Sequence, residues 1–229
     1  MLEALDRNEI AENTLLIFSA DNGTSRAANI NKLQKKGHYP SGPLRGSKAD
    51  LWDGGHRVPF LVRWPAKIAP NSKSEQLICL SDLMATFAAL FEEPEFPDHV
   101  AEDSISFLPA LYGAEIKDPR EAIVHHSISG RFSIRKGPWK LLLASGSGGW
   151  SAPKDQQATA QGLPDTQLYN LAKDLGETTN LVADNPEKAA ELLTLLKKYV
   201  ADGRSTPGAP QKNDAKVDIW KKRTRSKRP

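Results

Sequence analysis

The run Leu15-Leu16-Ile17-Phe18 constrains this chain more than any other stretch, because it offers four apolar strand formers with no polar alternation. Such a run reads as a strand covered on both faces, the usual condition of a parallel sheet sandwiched between helices. It ends abruptly in Ser19-Ala20-Asp21-Asn22-Gly23. Ligands of open α/β sheets gather at the carboxyl ends of strands. An acid and an amide beside a glycine offer oxygen donors to a hard cation such as calcium or magnesium. The same three residues are also favoured in plain turns. On these letters alone both readings stand.

The elements that follow fall into two groups. Met1, Leu2, Leu5 and Ile10 space as a short amphipathic helix, and the strand at 15–19 comes next. Residues 23–57 are polar and glycine-rich and read as one long loop, a length that is usually functional or mobile. "VPFLVRWP" reads as a second strand bounded by prolines. "SDLMATFAALF" reads as a helix with Ser81 at its N-cap and a core-facing stripe of Leu83, Met84, Phe87, Leu90 and Phe91. Prolines and acids around "EEPEFPDHVAEDS" mark a boundary, and "SFLPALYG" suggests a short helix and turn. From about residue 120 the pattern becomes an antiparallel meander, "AIVHHSI", "RFSIRKG" and "WKLLLA". A flexible insert, "SGSGGWSAPKDQQATAQGLPD", leads to a further strand, "TQLYNL". "NPEKAAELLTLLKKYVADG" is a helix opened by Pro186, buried through Leu192, Leu193 and Leu196, and stopped by Gly203.

The expected architecture is therefore the end of a parallel α/β domain (1–119), a small antiparallel sheet with one C-terminal helix (120–205), and a basic, disordered tail (206–229). Two strands and two helices cannot cover both faces of a parallel sheet, so the first part is incomplete.

Charge follows the same division. The chain carries a net charge of +3, yet residues 216–229 hold seven Lys or Arg against one acid, leaving 24 basic and 27 acidic residues elsewhere. The body is mildly acidic and the tail is expected to be solvated, although a basic tail can also hold a polyanion. No stretch reaches the length of a membrane span. The first residues, "MLEALDRNEIAEN", lack the basic start and apolar centre of a signal peptide. Cys79 is the only cysteine, flanked by Ile78 and Leu80, which suits a small apolar filler rather than a nucleophile.

The long loop gathers His38, Arg45, Lys48, Asp53, His56 and Arg57. Lys48 as a point charge, or Arg45 as a planar fork, could neutralise an anionic ester beside a cation site. A solvated loop would hold the same residues. No GxSxG elbow, phosphate-cradling glycine loop or HExxH motif occurs. His125 and His126 lie in an expected strand and point to opposite faces, so only one can reach a pocket.

The succession "NTLLIFSADNG", "GPLRGSKADLWDGGHRVPFLVRWP", "LSDLMATFAAL", "FSIRKGPWKLL" and "LYNLAKDLGETTNL" resembles the C-terminal half of the sulfatase family, the arylsulfatase-like esterases, over about residues 1–205. The resemblance implies an alkaline-phosphatase-like α/β sandwich, here incomplete, followed by the small antiparallel domain and its C-terminal helix. It implies that Asp21 and Asn22 ligate a calcium ion, that Lys48 contacts the sulfate as the catalytic cation, and that His38 and His126 line the substrate pocket. The family's nucleophile is a formylglycine made from the cysteine of a Cys-x-Pro-x-Arg motif. Cys79 has neither Pro nor Arg at those offsets. The nucleophile and a further Asp pair are expected only upstream, and the chain alone is expected to be inactive. The substrate implied is a sulfated small molecule or polysaccharide; nucleic acid is not an expected partner. Family members are usually exported. A phosphate or phosphonate ester hydrolase of the same superfold is the first alternative. A non-catalytic polyanion-binding module acting through the tail is the second.

Overall fold

A computed structural model describes residues 1–93 and 96–221 and divides the chain into two compact units. Among the described residues the first comprises 1–21, 58–93, 96–121 and 202–211; the second comprises 22–57, 122–201 and 212–221.

The first unit contains helix α1 (Leu2–Arg7), strand β1 (Leu16–Ser19), strand β2 (Phe60–Arg63), helix α3 (Asp82–Leu90) and the short helix α4 (Leu108–Leu111). β1 and β2 pair antiparallel, with Phe18 opposite Leu61, not side by side in parallel as the apolar run suggested. Nor is β1 covered on both faces: Phe18 and Leu61 are 65% and 58% exposed. Four apolar residues signal a strand that wants two covers, but they specify neither the direction of the partner nor where the covers come from.

α3 departs from expectation in the same way. Met84, Phe87 and Phe91 lie on the stripe expected to face a core, yet all are exposed, while Asp82 and Thr86 are buried. Ser81 occupies the N-cap position but its hydroxyl makes no cap bond. Asp82, the next residue, instead ties other segments to this end of the helix. Its carboxylate accepts from Cys79 N (2.8 Å) and Ile105 N (3.0 Å) and pairs with the buried Arg120 guanidinium. Thr86 Oγ1 accepts from Phe107 N at 3.0 Å. These polar bonds tie Ile105 and Phe107 to α3.

The second unit is a four-stranded antiparallel meander in the order β3 (Ile123–His126), β4 (Phe132–Lys136), β5 (Trp139–Leu142), β6 (Gln167–Asn170). Side chains alternate across the strands. Phe132, Ile134, Leu141, Leu143 and Leu168 therefore share one face and pack on Leu192 and Leu196 of helix α6 (Pro186–Asp202). The opposite face carries Leu142, Ala144 and Tyr169, covered by Leu51 and Trp52 from the long loop. With both faces covered, the "WKLLLA" strand can be apolar throughout. The loop, which the sequence pattern grouped with the first part, belongs with this sheet because it supplies the second cover.

The supposed flexible insert is ordered too. It forms helix α5 (Asp155–Ala160), and the Asp155 carboxylate accepts from Gly148 N at 3.0 Å. Within the tail expected at 206–229, residues 207–210 and 212–216 are exposed, whereas Ile219 is 8% exposed and joins the α6 core, where apolar burial outweighs the pull of the neighbouring charges. Residues 222–229, with most of the basic cluster, lie outside the described residues. No helix among the described residues is long and apolar enough to cross a membrane.

Candidate functional site

The loop from Asn22 to Arg57 carries most of the sequence-predicted chemistry, and glycine lets it fold on itself. It contains a 3-10 turn (Arg26–Ala28), helix α2 (Ile30–Lys35) and a second 3-10 turn (Asp53–Gly55). Gly23 N donates to Gly55 O at 2.9 Å, and a Cβ on Gly23 would lie 1.8 Å from Gly54 O. A Cβ on Gly54 would lie 2.4 Å from Gly46 O. The glycine of the Asp-Asn-Gly stretch is therefore fixed by a backbone crossing that admits no side chain. Lys48 N donates to Thr24 O at 3.0 Å, so the segment after the acid–amide doublet runs beside the lysine segment.

Asp50 secures this knot to the insert. Its buried carboxylate accepts from Ser47 N (2.8 Å), Trp150 N (2.8 Å) and Ser151 N (2.9 Å), and also from the Ser151 hydroxyl. With so many donors it is committed to holding backbone in place.

Beneath the loop lies a buried ionic cluster. Lys140 Nζ, on β5, sits 2.7 Å from Asp53 Oδ1 and 2.9 Å from Glu177 Oε1, and none of the three is more than 1% exposed. Glu177 Oε2 accepts from Asp53 N at 2.6 Å, while Arg45 stacks 3.6 Å over Trp52 and donates to Glu177 O at 2.6 Å. Burial would raise the Asp53 pKa, but bonds from His56 and the Lys140 charge overcome it and hold the group well below the carboxylate range. Burial pushes Glu177 up, with Lys140 opposing. His56 is lowered to about 4, chiefly by burial and by Lys140, against the pull of Asp53. The His125 ring stacks 3.8 Å from His56 and is likewise kept neutral by burial. Lys140, Asp53 and Glu177 spend their charges on one another, so the cluster anchors the loop to the sheet.

The residues singled out from sequence are distributed as follows. Asp21 ends the first unit and is exposed; Asn22 opens the second and is half-buried. Lys48 is half-buried in the glycine knot. His38 is exposed just after α2, and its backbone N donates to Leu33 O at 3.0 Å. His126 rests edge-on against Phe132 at 4.2 Å, and it is His125 that reaches the ionic cluster. The carboxylate and amide oxygens of Asp21 and Asn22 suit a hard cation by chemistry, but they supply two of the six or more donors such an ion takes. No group of three or more His, Cys, Asp or Glu among the described residues is placed to complete the set. Cys79 is half-buried in the first unit.

Lys140 and Glu177 escaped the sequence reading, which gave "LYNLAKDLGETTNL" no chemistry. The available signal was alternation: Lys140 shares a face with Leu142, so a lysine had to point inward. Also missed was a cavity of about 830 Å³ within the second unit, lined by α2, the 3-10 turn before it, and Gly46, Ser47, Ser151 and Ala152.

Residues 1–93 match the family model described as Sulfatase. The chain is 35% identical over 202 residues to an N-acetylgalactosamine-6-O-sulfatase of Bacteroides thetaiotaomicron, covering 86% of this chain and 38% of that protein. It is 32% identical over 208 residues to human arylsulfatase A, covering 86% of this chain and 39% of that one. A solved structure from work on glycosaminoglycan metabolism by the same bacterium matches with a TM-score of 0.70 at 34% identity, over 86% of this chain and 41% of its own. The chain thus spans about two fifths of the length of the relatives it matches. The α/β class expected from the motifs holds, as part of the larger fold.

Proposed function

Since the chain belongs to the sulfatase family, matching its model over residues 1–93 and its members over most of its length, we propose that it is part of an enzyme that hydrolyses sulfate esters. In that role Lys48 places its ammonium against the sulfate oxygens and stabilises the charge that grows there as the ester oxygen leaves. A calcium ion held in part by Asp21 and Asn22 would supply further positive charge to the same oxygens. His38 and His126 are proposed as contacts to the organic part of the ester. Residues 1–119 carry the doublet and the lysine, and the loop with the lysine packs on the sheet of its own unit.

One observation supports this reading above the others: the backbone bond from Lys48 N to Thr24 O. It keeps the lysine segment two residues along the chain from Asn22, as a shared anion site requires. The buried Asp53, Lys140 and Glu177 add an ionic anchor between the loop that carries Lys48 and the sheet.

The nucleophile is a separate matter. Cys79 lacks the residues that direct formylglycine formation, so we propose that the nucleophile is a formylglycine outside this sequence and that these 229 residues alone do not turn over. Calorimetry with an aryl sulfate tests the assignment: the chain binds it, and Lys48→Ala weakens binding about tenfold, the worth of one charge-assisted hydrogen bond. Unchanged affinity removes Lys48 from the site. Turnover above the Lys48→Ala background contradicts the proposed inactivity, and tighter binding of the matching aryl phosphate favours the phosphoesterase alternative.

A further inference from the structure

The cavity beside the lysine segment has a lining that sulfate-ester hydrolysis alone does not explain. Three cations line it, Arg26, Lys32 and Lys35, and no acid does. Arg26 is fixed in place by donating to the Trp150 carbonyl. Lys32 and Lys35 are exposed on α2, and among the described residues neither meets a carboxylate within ion-pair distance. A concave surface lined by one sign of charge concentrates ligands of the other. Its volume of about 830 Å³ is that of a small-ligand pocket rather than of a single small ion.

The remaining lining narrows the ligand. Asn29 and Gln34 contribute amides and Ser151 a hydroxyl, groups that exchange hydrogen bonds with alcohols. No aromatic side chain lines the cavity, which argues against stacked bases and so against single-stranded nucleic acid. Gly46 and Ser47 form one wall, and Lys48 is the next residue along the chain. Asp50, the nearest acid in sequence to that wall, is not part of the lining, and its oxygens are taken by Ser47, Trp150 and Ser151.

We propose that this cavity is a second anion subsite, which holds an oxyanion on a neighbouring sugar unit while Lys48 holds the ester sulfate. The substrate is then a multiply charged saccharide, not a simple aryl sulfate. This rests on the role given to Lys48 and adds Lys32 and Lys35 as residues that determine specificity. The second oxyanion is a further sulfate or a uronate carboxylate, and both suit an ammonium pair with amides around it.

Calorimetry on the 229-residue chain with three disaccharides decides the matter. One carries two sulfates, one carries a sulfate and a carboxylate, and one carries a single sulfate and is otherwise neutral. The doubly charged sugars are expected to bind about tenfold tighter than the neutral-flanked one, and whichever of them binds tighter identifies the second group. Lys32→Ala combined with Lys35→Ala brings all three to the same affinity. Both positions are exposed, and an unchanged melting temperature verifies the fold. Lys48→Ala weakens all three alike. Equal affinities in the unaltered chain, no binding of any sugar, a preference that survives the double substitution, or equal competition by single-stranded DNA overturns the proposal. If Lys48→Ala changes nothing while the double substitution still levels the affinities, the cavity assignment stands and the sulfatase role of Lys48 falls.

Discussion

The two units of this chain solve the problem of apolar surface in opposite ways. In the second, α6 covers one face of the sheet and the Leu51–Trp52 loop the other, and Leu142, Leu168, Leu192 and Leu196 are fully buried. In the first, Ala11, Trp64 and Phe107 are the buried hydrophobic residues among those described, while Phe18, Leu61, Met84, Phe87 and Phe91 stand exposed. The first unit adds polar bonds centred on Asp82, Arg120 and Thr86 to that small buried set. Apolar patterning thus earned its burial only where the chain itself supplies the cover. The Lys48 loop belongs to the unit that closes on itself, which gives its lysine a stable mounting.

The most severe way to test that contrast is to remove the buried cation of the closed unit. Lys140→Met leaves Asp53 and Glu177 buried without their shared partner and is expected to cost about 3–5 kcal/mol in denaturant unfolding. A loss below about 1 kcal/mol would mean that the ionic floor is dispensable. A paired substitution then sharpens the comparison. Leu196→Ala, at a fully buried position, is expected to cost about 2–5 kcal/mol, whereas Phe91→Ser, at a position 71% exposed, should stay within about 0.5 kcal/mol. Similar costs for the two would erase the distinction between the units.

A smaller effect comes from acid. The folded pKa of His56 is depressed to about 4 against an ordinary 6.5, so its contribution to stability is full above 6.5 and is lost as the pH falls through about 4. His125 acts in the same direction. Glu177, raised by burial, works the other way, and its penalty is relieved in acid. His56→Gln should therefore reduce the fall in melting temperature between pH 7.5 and pH 5, and an unaltered fall would show that the imidazole is not held neutral by the fold.

How far the sequence could be read depended on how local the cause was. The strands at Leu16–Ser19, Phe60–Arg63, Phe132–Lys136 and Trp139–Leu142 and the helix from Pro186 were legible because apolar runs bounded by turn residues and 3.6-residue spacing are local signals. The order in the insert was not. It depends on Asp50 capturing amides a hundred residues away, and no window of sequence contains both partners. The exposure of Met84 and Phe91 was hidden for the complementary reason, that an apolar stripe declares a need for cover but not its source. Within the site, Gly23 announced a sharp turn, yet its real cause, the crossing against Gly54, required the fold. The chemistry assigned to Asp21, Asn22 and Lys48 came from the order of motifs and not from any residue alone.

The central claim is that the lysine of the Gly-Ser-Lys segment and the loop after Asn22 form one anion site. Amide chemical shifts of the 229-residue chain, followed by NMR during titration with a sulfated disaccharide, test it most directly. The account predicts that the amides of Asn22, Gly23, Thr24 and Lys48 shift together along one saturable curve, and that the response collapses in Lys48→Ala. Shifts confined to other parts of the chain, or a response at Asn22–Thr24 that persists unchanged in Lys48→Ala, would contradict it.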